Sequence, residues 1–314
     1  MYLALVPLAM TVAFALTARR LAALLSGRAA AVLLTVGSLV CALASGLVLC
    51  AIACLSLAQF APFARLGRWS TSVVRASDPV PAVVAGVCGT LAIVLLAASF
   101  VRIVGSARRL TASARLCRSH QRRDAADGLL VLRDTAPEAY ALAGWPGLTV
   151  VTSGMLRCLT AAERRALLAH ERAHVAHHHF LYVQLTTLAA TANPVLWPLV
   201  HTVHLAVERW ADEDAVASVG DDRGLVVDTL ARAGLARSGY RDRIPVGALA
   251  AARSEVAQRV DALLAPAALR VPRAVIAAGL SAVVLCAALS SLAVGLHSHD
   301  IVEAAQQLRG AAHR

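Results

Sequence analysis

His170, Glu171 and His174 stand in the run His-Glu-Arg-Ala-His, an HExxH. Residues four apart share one face of an α-helix, so the two imidazoles point at one spot and Glu171, one position round, lies beside it. Neutral imidazoles suit Zn2+. Two of them leave positions for a third protein ligand and a water, and the adjacent carboxylate can take that water's proton. The chemistry implied is hydrolysis of a peptide bond. With 11 His among 314 residues, chance would supply roughly 0.01 such motifs in a chain of this length. Coincidence is therefore a poor account of it.

A third ligand must come from elsewhere, and the next acidic residue is Glu208, in Glu208-Arg-Trp-Ala-Asp212. If this segment is helix, Glu208 and Asp212 share a face. Glu208 could then reach the metal while Asp212 meets the far nitrogen of a ligating His and fixes its tautomer. The competing reading makes both ordinary surface acids paired with Arg209 or another cation. His177, His178 and His179 could polarise a scissile carbonyl or hold a second metal, but a polar helix end at a membrane surface is the better reading. His201 and His204 precede Glu208 on the same expected helix, where one could face the site, but read better as structural histidines, and nothing in the spacing chooses between Tyr182 and Tyr240 as an oxyanion donor.

These residues need elements to hold them. Thr160-Ala-Ala-Glu163 is a capping box, so a helix starts just before the motif, with Leu167 and Leu168 on an apolar face. Upstream, 129–133, 139–143 and 148–153 are short runs rich in Val, Leu and Thr around the turn residues Gly144 to Gly147, which predicts a small sheet. Downstream, Phe180 to Val200 is apolar enough to suggest a membrane span. His174 and Glu208 must reach one metal, however, so the chain between them has to return to the side it left. Asn193-Pro194 and Pro198 mark the break of a buried or membrane-dipping helical hairpin. Further helices are expected over 221–235 and 254–264, with a loop over 238–245.

The runs Ala139 to Gly144, Leu148 to Gly154 and Leu159 to Glu163, then HERAH and ExxAD, resemble the BlaR/MecR family of membrane metallopeptidases. They are also similar to the related HtpX and CAAX prenyl-protease group. The motifs cover roughly residues 129–215. The resemblance implies that His170, His174 and Glu208 bind zinc, that Glu171 is the catalytic base, and that an extended substrate adds to the edge of the sheet. It also implies a cytoplasmic winged-helix repressor as the protein substrate. The family often carries an Asp shortly after the HExxH, where this chain has His177-His178-His179.

Composition sets the class independently. The chain is 58% apolar with a mean hydropathy of +0.66, too oily for a soluble domain of its length. The net charge of +11 comes from arginine, since no Lys is present. That bias fits a high-GC bacterial source. The arginines gather beside apolar spans, which argues against direct nucleic-acid binding. The cysteines show no metal or disulfide spacing and read as small buried hydrophobes.

Spans are expected at about 2–18, 29–57, 81–101 and 274–296. The dense basic cluster from Arg102 to Arg123 should lie inside, which places the N-terminus outside and the metallopeptidase portion in the cytoplasm of a bacterial cell. The expected protein is mainly α: three spans in 1–103, a cytoplasmic α+β zincin-like domain in 104–270, and a fourth span with a short external tail in 271–314. The stretch after Leu296 is too short for a penicillin-binding sensor domain. A membrane quality-control protease, or a non-catalytic signalling protein stabilised by zinc, are the alternatives to a regulatory zinc endopeptidase. The oligomeric state is left open.

Overall fold

A computed structural model describes residues 5–67, 69–72, 74, 81–121, 128–142, 144, 147–240 and 246–265, with Leu292, Leu296 and Glu303 beyond them. The fourth span expected at 274–296 and the external tail therefore lie outside the described residues, apart from those isolated positions. The described chain is mainly helical. In order it forms α1 (Leu5–Leu24), α2 (Gly27–Ala58), α3 (Ala61–Gly67), α4 (Ala82–Gln121), strands β1 (Leu129–Leu132), β2 (Ala139–Leu142) and β3 (Leu148–Thr152), then α5 (Ser153–Cys158), α6 (Ala161–Ala176), α7 (His179–Ala192), a 3-10 turn at Pro194–Leu196, α8 (Trp197–Ser218), α9 (Arg223–Tyr240) and α10 (Val246–Leu264).

Three helices, α1, α2 and α4, are long and apolar enough to cross a bilayer, which marks a membrane protein. The three spans expected in 1–103 fall on these helices, which outrun them. α1 continues past Arg19 and Arg20 to Leu24. α4 continues from the apolar stretch through Arg102, Arg108 and Arg109 to Gln121 as one helix, because no Pro interrupts it and arginine and alanine are good helix formers. Its apolar face is left open: Val83, Val87, Leu91, Val94 and Phe100 are exposed. The cysteine expectation needs correcting, since Cys41 is buried but Cys54 and Cys158 are exposed.

At 32 residues, α2 is about 48 Å long, well beyond the ~30 Å of a hydrocarbon core. The surplus packs against α7 and α8. These two helices form the hairpin expected from Asn193-Pro194, where Asn193 accepts from Val195 N–H to cap the 3-10 turn. One core joins Ala18, Leu25 and Leu34 of the first two helices to Ala190, Leu196, Leu199 and Val203 of the hairpin. Polar side chains fix the register. Thr186 Oγ1 donates to Thr35 Oγ1 at 3.2 Å, and Asn193 Nδ2 donates to Ser45 Oγ at 3.1 Å. At the hairpin turn, the Arg102 guanidinium lies over the Trp197 ring, 5.4 Å from its centre.

The three strands fall where the sequence placed them and order as β1-β3-β2. β1 runs parallel to β3 and β2 antiparallel to it. β3 is buried throughout, which suits its Leu-Thr-Val-Val-Thr run at the centre, while β2 is an edge. One face of the sheet packs on α6 through Val151, Met155, Leu159 and Leu167. α9 is longer than expected and takes in Ser238 and Tyr240, and α10 starts at Val246.

Candidate metal centre

Helices α6 and α8 and the edge strand β2 bring the site together, with α7, α9 and α10 around them. α6 begins where the sequence indicated: Thr160 Oγ1 accepts from the Glu163 N–H, and Glu163 Oε2 accepts from the Thr160 N–H at 2.7 Å. Such a cap contributes about 1 kcal/mol. Arg232 of α9 closes on Glu163 from outside at 2.7 Å. α6 then carries His170, Glu171 and His174 into a cleft of about 440 Å3 that is also lined by Glu208 and Asp212 of α8 and by Ala139 to Leu142 of edge strand β2.

His170, His174 and Glu208 converge. The two Nε2 atoms are 3.1 Å apart, and each lies 3.5 Å from a Glu208 carboxylate oxygen. Ligands about 2.05 Å from a tetrahedral zinc stand about 3.3 Å from one another. The three donors therefore fit that ion in spacing as well as in kind, and Glu208 is the acid the helix spacing singled out. Asp212 takes the far side: its Oδ1 accepts from His170 Nδ1 at 3.0 Å. That bond leaves His170 Nε2 as the ligand atom.

Sequence reasoning missed Arg259. It reaches in from α10, with Nη1 2.9 Å from Glu208 Oε2 and Nε 2.8 Å from Asp212 Oδ2, and Nη2 also on Asp212. Arg259 and Asp212 are buried, and Glu208 is partly so. His179, one of the three consecutive histidines the sequence left open, sets its Nδ1 2.9 Å from His174 Nδ1. Arg237 of α9 lines the cleft too and donates to the Ala139 carbonyl of β2 at 3.1 Å.

The weaker histidine and tyrosine candidates separate. His204, read as structural, lines the cleft and pairs with Glu255 at 3.2 Å. Its position on α8 one turn before Glu208 was the available signal. His201 is exposed. His177 bonds Asp214 at 2.6 Å and stacks on Trp210. Tyr182 packs against Trp210, and the Tyr240 hydroxyl meets Thr135 at 3.3 Å.

Burial and charge tune the groups. Burial opposes a proton on His170, but the Asp212 and Glu208 carboxylates outweigh it and carry the imidazole up to about 9. His174 has no counterpart of Asp212; burial and then the charge of His170 push it down to about 4. Burial also resists ionisation of Glu208, yet His170 and Arg259 hold that carboxyl well below its usual range. At Glu171 burial prevails and raises the carboxyl, against the pull of His170 and Arg237.

Two imidazoles, a carboxylate and a neighbouring buried carboxyl at the head of an open cleft define an HExxH metallopeptidase centre. Residues 106–237 match the family model of peptidase family M48. The match supports a zinc-dependent protease, a hydrolase of peptide bonds, and it spans all three converging donors but stops short of Arg259. No curated protein and no solved structure matched the chain.

Proposed function

We propose that this chain is a membrane zinc endopeptidase of the BlaR/MecR antirepressor type, cutting a cytoplasmic or membrane-proximal protein, with a winged-helix repressor as its substrate. His170, His174 and Glu208 hold the metal, Asp212 orients His170, and Glu171 is the general base. The observation that carries the reading is the convergence of those three donors beside the open edge of β2, with Glu171 buried in the same cleft. An extended peptide added along β2 would run past the two histidines, held by main-chain hydrogen bonds that do not dictate its sequence.

Bound there, zinc supplies Lewis acidity to the scissile carbonyl and acidity to the attacking water. Glu171 accepts the water's proton and returns it to the leaving amine. Its raised carboxyl suits both halves of that exchange. Arg259 and Asp212 keep His170 aimed, and Arg237 steadies the end of β2 against which the substrate lies.

For orientation, the basic end of α4 favours the cytoplasmic side, since Arg102, Arg108, Arg109 and Arg115 are all exposed there.

The test is Glu171→Gln, which keeps size and hydrogen bonding but loses the base. Protein termini compared between wild-type cells and cells carrying this variant should lack a small set of cytoplasmic neo-termini, while zinc content and membrane insertion stay near wild type. Near-normal processing by a zinc-loaded Glu171→Gln would replace the hydrolytic reading with that of a zinc-stabilised scaffold.

A further inference from the structure

The two candidate zinc histidines are held from behind by different chemistry. His170 turns its Nδ1 to a carboxylate, Asp212, which Arg259 grips in turn. His174 turns its Nδ1 to another imidazole, His179, at 2.9 Å. We propose that His179 is a positioning residue, whose Nδ1 accepts the hydrogen bond that orients His174 and fixes its tautomer for the metal. The inference rests on the zinc-site reading above.

Proton bookkeeping gives the direction of the bond. A neutral imidazole carries one N–H and one lone pair. The lone pair of His174 has to be on Nε2, the atom that stands 3.1 Å from His170 Nε2 and 3.5 Å from Glu208. Its proton is therefore on Nδ1 and faces His179. Two ring N–H groups cannot point at each other over 2.9 Å, so His179 Nδ1 is the acceptor and its own proton is on Nε2. That atom is buried and without a hydrogen-bond partner among the described residues. The ring lies between Trp210, 4.7 Å away, and His177, 5.7 Å away and stacked. An unpaired buried N–H costs about 1–3 kcal/mol. Packing alone would favour an apolar ring at this position, whereas an acceptor for His174 Nδ1 requires a heteroatom there.

The local fold makes the contact. His178 sits in the left-handed region at φ 51°, ending α6 and restarting the chain as α7, and this reversal tucks the next side chain under His174. Of the three consecutive histidines, His179 is the fully buried one, 1% exposed. Unlike a carboxylate, it orients its partner without adding negative charge to a site that already holds Glu208, Asp212 and Glu171.

Three substitutions separate an acceptor from a filler. Asn places an oxygen where the His Nδ1 stands, Gln reaches the Nε2 position instead, and Phe fills the space with no acceptor. Full-length protein in detergent, carrying Glu171→Gln to prevent self-cleavage, is titrated with zinc against a chelator of known affinity. His179→Phe should bind zinc about 10- to 100-fold more weakly, His179→Asn within about threefold of the parent, and His179→Gln nearly as weakly as Phe. With Co2+ in place of zinc, the visible absorption band of the parent should persist in the Asn variant and change shape in the other two.

Wild-type affinity in a folded His179→Phe would overturn the proposal. If Phe does not fold, the Asn and Gln pair decides, and equal affinities for those two would overturn it as well. His174→Ala separates the two levels. Undiminished affinity there would sink the zinc-site reading itself, while loss in His174→Ala with none in His179→Phe would sink only the role of His179.

Discussion

Arg209, the residue next to Glu208, donates from its Nη1 to the Ala22 carbonyl at the end of α1, at 2.8 Å. Its Nη2 reaches the Leu25 carbonyl at 3.1 Å. The last carbonyls of a helix have no partners within it, so the guanidinium completes α1 while it anchors α8. On the other side of the same joint, Gly27 opens α2 so close to α8 that an added Cβ would stand 2.5 Å from Trp210 N. The helix that carries Glu208 is thus keyed directly to the turn between the first two membrane helices.

Breaking that joint should therefore reach the metal. Gly27→Leu forces α2 away from the α8 backbone, and overpacking of this kind costs about 1–3 kcal/mol. The purified variant should show a lower Tm and a reduced zinc content, with Arg209→Ala shifting both in the same direction. A Gly27→Leu protein with unchanged Tm and full zinc would mean that α8 is not seated on this turn.

What the sequence revealed of the site was local. The HExxH, the Thr160 box and the Glu208–Asp212 pair each fall within two turns of one helix, where the 3.6-residue period places side chains reliably. The break at Asn193-Pro194 was legible for a similar reason, because proline cannot continue a helix. Arg259 was not, since it lies 47 residues from Asp212 and 89 from His170, and no spacing rule joins α10 to α6. His179 could not be told from His177 and His178, as the choice is made by a left-handed backbone turn at His178. Nor could apolar runs tell which helices the hairpin packs on, because Ala, Leu and Val pack against any similar face. The polar pairs Thr186–Thr35 and Asn193–Ser45, together with Arg209 on the Ala22 and Leu25 carbonyls, fix that.

The three acids and bases around His170 should differ in kind when removed. Glu208→Ala deletes a ligand and should lower zinc content to about the level of His174→Ala. Asp212→Ala keeps the ligand set but frees His170, so zinc affinity should fall about 10- to 100-fold. Arg259→Ala leaves two buried carboxylates without their cation, and breaking such a pair typically costs about 3–5 kcal/mol. Its first sign should be a loss of thermal stability. Full zinc occupancy in Glu208→Ala would show that another acid completes the site.

Membrane orientation can be read separately from activity. A reporter fused after Arg123 should behave as cytoplasmic, and one fused after His299 as external, if the arginine-rich end of α4 faces inward. Reversed signals would place the cleft outside and remove the cytoplasmic substrate.

Zinc loading should release a countable proton. At pH 7.5 His170, held up near 9 by Asp212 and Glu208, carries a proton on both nitrogens. His174, pushed down to about 4, is already neutral, and Glu208 is already ionised. A ligand nitrogen has to give up its proton to bind. The histidines should therefore release about one proton between them at pH 7.5, falling toward zero as the pH rises past 9. The same shift acts on the metal-free protein with its sign fixed: a raised folded pKa stabilises below the unfolded value near 6.5, and that stability is lost as pH climbs through about 9. Zinc titrations by calorimetry in buffers of different ionisation heats measure the release, with the Glu171→Gln variant used to hold its carboxyl out of the count. Zinc-bound water, which titrates at about pH 7, adds its own proton to the count, so the test is the fall in release as the pH passes about 9; no fall would mean that the Asp212–His170 bond does not hold a proton on the ring.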